Sequence, residues 1–109
     1  MDIDNWKLRS QAAQAQAAHA YARLLGFAET YQSGQARIIA RFLAGTYNGS
    51  AHPFDLGELR EVDVAIGDDM LVCLDALRWG LADLHKLVPN GEERLEAMIR
   101  LSEIGSAGR

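Results

Sequence analysis

Pro53-Phe54-Asp55-Leu56-Gly57-Glu58-Leu59-Arg60-Glu61-Val62-Asp63-Val64-Ala65-Ile66-Gly67-Asp68-Asp69-Met70, continuing through Leu71 to Trp79, is the stretch that decides how the chain reads. Asp55 with Glu58 three residues on has the spacing of a capping box. Leu59, Val62, Ile66, Met70, Cys73 and Leu77 then recur at helical intervals. Together these predict one helix from Leu56 to Trp79. Asp63, Asp68, Asp69 and Asp75 lie close to that apolar stripe, where a helix written only for packing has no use for them. Such carboxylates either pair with cations inside the fold or face a partner. Asp68 and Asp75, seven residues apart, share a face, whereas Asp68 and Asp69 diverge by about 100°.

Working toward the N-terminus, residues 50 to 54 read as a short loop. A helix from about Gln35 to Tyr47 precedes it, with Ile38, Ile39, Phe42, Leu43 and Thr46 as its stripe and Arg37 and Arg41 adjacent on one face. Asn48-Gly49 closes that helix and Ser33-Gly34 opens it. The first helix, capped by Asp2 or Asp4, contains an Ala/Gln-rich segment from Gln11 to Leu25 and tolerates Gly26 at about 1 kcal/mol. Its alanines bury little area each, so it either packs closely on another helix, across a homodimer interface included, or projects as an arm. Toward the C-terminus, Gly80 bends or stops the third helix before Leu81, Leu84 and Leu87. Pro89-Asn90-Gly91 makes a turn, and Asn90 with Glu93 opens a last helix carrying Leu95, Met98, Ile99 and Ser102. Residues 1–10 and 105–109 are expected to fray.

The 109 residues and 12.0 kDa suit one domain spanning 1–109, and a 49% hydrophobic fraction rich in Ala with only two Pro favours helices over strands. The predicted class is all-α, a compact bundle of four to five helices with the third at its centre. No segment has the roughly 20 apolar residues of a membrane span, and the N-terminus lacks a leader-like apolar run, so the expected location is cytoplasmic. Residues 1 to 50 carry five basic and three acidic side chains, and residues 51 to 109 carry six and twelve. That acidic second half argues against direct nucleic-acid binding and suits a basic partner.

No arrangement for catalysis stands out. The chain lacks a nucleophile elbow, a P-loop and GxGxxG, and without Glu-x-x-His the aspartates lack the usual two-metal pattern. His19, His52 and His85 have no Cys or His at zinc spacing, and Cys73 on the apolar stripe reads as core filler. Neither a metal nor a cofactor is therefore expected. In the packing account, Asp63 or Asp69 pairs with Arg37 or Arg41. Tyr47, Asn48, His52 and Phe54 surround the loop, either as a recognition patch or with Tyr47 and Phe54 closing the end of the core. A helix-turn-helix is disfavoured, because Asp55, Glu58, Glu61 and Asp63 would sit where DNA phosphates lie.

The pattern Gly34-Gln35-x-Arg37-x-x-Ala40-x-Phe42-Leu43, Tyr47-Asn48, then Phe54-Asp55-Leu56-x-x-Leu59-x-x-Val62-Asp63-x-x-Ile66-x-Asp68-Asp69-Met70-Leu71 resembles a family of short uncharacterised proteins of proteobacterial plasmids, integrative elements and prophages. The resemblance covers about residues 24 to 101. It implies a helical domain and a mobile-element setting, and it carries over no catalytic residues. The resulting expectation is a small non-enzymatic interaction module contacting a protein partner through Asp68, Asp69, Asp75, Arg37, Arg41, Tyr47 and His52. The alternative is an inhibitor of a host nucleic-acid-targeting defence complex whose carboxylates imitate phosphates.

Overall fold

A computed structural model describes residues 3 to 107, with the side chains of residues 5 to 102. Within it, α1 spans Ile3–Thr30, α2 Gly34–Tyr47, α3 Val64–Trp79 and α4 Gly91–Ala107. Two short 3-10 helices, η1 (Leu56–Glu61) and η2 (Leu84–Leu87), complete an all-α bundle with no strand among the described residues.

Local signals set most of the boundaries. Ser33 accepts a hydrogen bond from the Ala36 N–H at 3.1 Å and caps α2, whose end falls at Asn48. Gly80 closes α3 in the left-handed conformation, φ 70°, which a side chain disfavours. At Gly91 the constraint is space: a Cβ there would stand 1.9 Å from the His85 carbonyl oxygen, so only glycine lets α4 start against η2.

The stretch 56–79 does not form one helix. It breaks at Val62 and Asp63 into η1 and α3, with side chains of α2 reaching Glu58 in η1 and Asp63 at the break. Asp55 does cap, accepting from the Gly57 N–H at 2.8 Å, but Glu58 is drawn away from the capping box to Arg41. At the break, Gln35 accepts from the Asp63 N–H at 2.6 Å and donates to the Asp63 carboxylate at 3.3 Å. A tertiary pairing thus ends one element and aims the next.

The centre of the bundle is α1, not the third helix. It packs most extensively on α3, then on α2, and also touches η2 and α4, while α4 leans mainly on α2 and η2. The Ala-rich segment is the reason. Ala13, Ala17 and Ala20 are buried, and such small side chains let α3 approach closely, so this segment is neither an arm nor weakly anchored. Around it lie Tyr21, Leu24, Leu25, Ile38, Ile39, Phe42, Leu43, Met70, Cys73, Leu95 and Met98. On α3 the inward set is Met70, Cys73 and Ala76, and Leu77, assigned to the stripe from its spacing, is 41% exposed. Ser102 of α4 is exposed as well. The cap assigned to Asp2 or Asp4 concerns side chains outside the described residues, whereas residues 3–10 and 105–107, expected to fray, are helical, and Trp6 packs edge-on against Trp79 of α3.

Candidate functional site

The carboxylates of 63–75 sort by what they meet. Asp69 accepts both a 2.9 Å bond from Arg23 Nε and a 2.8 Å bond from Arg23 Nη2, a two-pronged pair joining α3 to α1. Asp75 pairs with Arg78 one turn on, at 2.7 Å. Asp63 is held by Gln35. Asp68 is exposed and has no hydrogen-bond or ion-pair partner among the described residues.

These pairings correct the expected ones. Arg41 binds Glu58, with its Nε at 3.1 Å, and Arg37 donates to the Gln32 carbonyl at 3.1 Å. Neither arginine pairs with a carboxylate of α3. The reason is geometric: α1, not α2, is the main neighbour of α3, so the cation facing Asp69 comes from α1. Arg94 of α4 adds a third cross-link, to Glu29 of α1, at 3.0 and 2.6 Å.

Tyr47 and His52 belong to the packing of the loop. The Tyr47 hydroxyl donates to Glu92 at 3.0 Å, which raises its pKa, and its ring stands edge-on to His85 at 5.1 Å. Phe54 meets Phe42 edge-on at 5.5 Å, and the partly buried His52 donates its N–H to the Asn48 carbonyl at 2.9 Å. The two aromatics lie against the end of the core.

Two open clefts flank the first turns of α3, and Asp68 borders both. One, about 440 Å³, runs between α1 and α3 over Leu24, Phe27, Ile39 and Ile66, with the Arg23–Asp69 pair on its rim. The other, about 450 Å³, lies between η1 and α3 over Leu59, Val62, Val64, Gly67 and Leu71. Arg60 stands on its η1 wall and Asp68 on its α3 wall. The break at Val62-Asp63 creates this second cleft by turning η1 away from the axis of α3. Two of its apolar side chains stand in the open: Val64 is 80% exposed and Leu71 56%. Gly67 gives it depth. A Cβ at Gly67 would meet only Val62 Cγ2, at the ordinary distance of 3.8 Å, so the fold does not require glycine there. Sequence reasoning passed over Arg60, Val64, Gly67 and Leu71, although a glycine four residues into a helix was a visible signal.

Away from the clefts, burial neutralises the remaining reactive groups. The Cys73 thiol is free and buried, and desolvation followed by the Asp69 charge pushes it up to about 12, far from a nucleophile's range. Burial likewise raises the Tyr21 hydroxyl, which lies beside Cys73 and has no hydrogen-bond partner among the described residues. Among the described residues no group of three or more His, Cys, Asp or Glu could hold a metal ion, and no helix is long and apolar enough to cross a membrane. What the arrangement presents is a pair of open clefts, apolar at their floors and charged at their edges.

A family model described as a family of unknown function (DUF7673) matches residues 18–103. The match contains the whole of the stretch from 24 to 101 that carries the resemblance. No curated protein and no solved structure matches the chain.

Proposed function

The chain belongs to this family of unknown function, and we propose that it is a small non-enzymatic protein-interaction module that docks through the outer face of α3. The observation that carries this is Asp68, a carboxylate without a partner on the ridge between two apolar clefts, flanked by exposed Val64 and Leu71. An interface core combines exposed apolar anchors with a few charges that set register, and this face supplies both. The cytoplasmic location and mobile-element setting implied above are part of the proposal. Phosphate mimicry is less well supported, because arginines engage Asp69 and Asp75 and leave Asp68 as the free carboxylate of α3.

The test uses wild type beside Leu71→Asp and Asp68→Asn, each first shown to melt like wild type, as baits in crosslinked pull-downs read by mass spectrometry. Both substitutions are expected to deplete the same crosslinked protein, with crosslinks mapping to residues 56 to 71. Crosslinks that map elsewhere and survive both substitutions would refute the assignment of this face.

A further inference from the structure

We infer that the cleft between η1 and α3 is occupied by the same cleft of a second copy of this chain, forming a two-fold dimer. The inference rests on the assignment of α3's outer face as a docking surface and names its occupant. An isologous interface must be complementary to itself, so any charge it covers needs an opposite charge at the position brought over it by the two-fold axis. This cleft supplies one of each sign. Arg60 stands on the η1 wall and Asp68 on the α3 wall. Neither has an ion-pair partner among the described residues, and the nearest acceptor for Arg60 is the carbonyl of Gly57 in its own turn, at 3.5 Å.

The contrast with the rest of the surface sharpens the point. Arg23, Arg41, Arg78 and Arg94 each grip a carboxylate and Arg37 a carbonyl, whereas Arg60 lines the same apolar cleft as an aspartate that is likewise without an ion pair among the described residues. A two-fold axis directed out of the cleft lays the η1 wall of one copy over the α3 wall of the other. Arg60 then meets Asp68 of its partner twice, and Val64 and Leu71 are covered at the centre. A heterologous basic segment would satisfy Asp68 but would find Arg60 opposing it, which selects a second copy over a generic basic helix.

Sedimentation equilibrium of the intact chain, from roughly 1 µM to 1 mM, tests this with a charge swap. Wild type is expected to dimerise. Arg60→Glu and Asp68→Arg, each leaving two like charges opposed, are expected to raise Kd about tenfold or more, and Arg60→Glu with Asp68→Arg in one chain to restore it. Leu71→Asp, an exposed change whose fold is checked by a melting temperature equal to that of wild type at a dilution where both are monomeric, is expected to yield monomer at all concentrations. A wild-type monomer throughout, or a double variant no better than the singles, overturns the dimer. Neither result touches the docking assignment, which the crosslinked pull-down decides separately.

Discussion

The two faces of α3 follow different rules. Its inner face carries Met70, Cys73 and Ala76, all buried, with Asp69 at the margin held by both prongs of Arg23. Its outer face carries Val64 and Leu71 in the open, a glycine that packing does not require, and an aspartate with no partner among the described residues. One helix therefore shows what selection for folding alone looks like beside a surface that folding does not explain. Where local choices conflict with the fold, a functional contact is the first explanation to test.

The contrast is most exposed to refutation at two adjacent residues. Met70→Ala, in a fully buried site, is expected to cost about 3 kcal/mol in urea unfolding. Leu71→Ala, one residue on but 56% exposed, is expected to stay within about 0.5 kcal/mol. Equal losses would erase the distinction between the faces.

Alkaline titration probes the inner face without mutation. Cys73 rises from 9.0 in the unfolded reference to about 12 in the fold, and Tyr21 moves the same way, both through burial. A raised folded pKa means that the fold favours the protonated form. Stability from this source is therefore complete below about pH 9 and declines as pH rises toward 12. A loss on the order of 1 kcal/mol by pH 10 is expected, and Cys73→Ser should remove the larger part of that slope. A flat profile between pH 8 and 10 would mean that the thiol is not sealed.

The margin of the inner face should respond more weakly. Asp69→Asn keeps the shape and removes one charge from a pair whose arginine side chain is 62% exposed. It is expected to lower the melting temperature less than Met70→Ala does, and the difference from wild type should shrink as salt is raised toward ~1 M, where the Debye length is about 3 Å.

How much of this was legible follows from the range of each cause. The start and end of α2, the stop at Gly80 and the turn before α4 are written in neighbouring residues: Ser33-Gly34, Asn48-Gly49 and Pro89-Asn90-Gly91. The break at Val62-Asp63 was not, because Gln35 imposes it from 28 positions away and Arg41 diverts the Glu58 that would have completed a capping box. Periodicity also places Asp69 near the core without naming the helix opposite. Arg23 was missed because alanines bury too little area each to mark α1 as the centre. In the candidate site the aspartates were visible, but only their surroundings separate the engaged Asp69 and Asp75 from the free Asp68.

Gly67 offers the subtlest test of the outer face, because its two predicted effects have opposite signs. A glycine inside a helix costs backbone entropy, and Gly67→Ala would place its methyl 3.8 Å from Val62, in ordinary contact. The substitution is expected to stabilise the monomer by about 0.5 kcal/mol, measured by urea unfolding below the dimer's dissociation constant. The same methyl makes the floor of the η1–α3 cleft shallower, so dimerisation is expected to weaken severalfold in sedimentation. A variant that is more stable yet associates less would place the glycine in service of the contact rather than the fold. If it is more stable and associates as well as wild type, Gly67 gives the cleft nothing, and the case for the outer face would rest on Asp68, Arg60 and Leu71 alone.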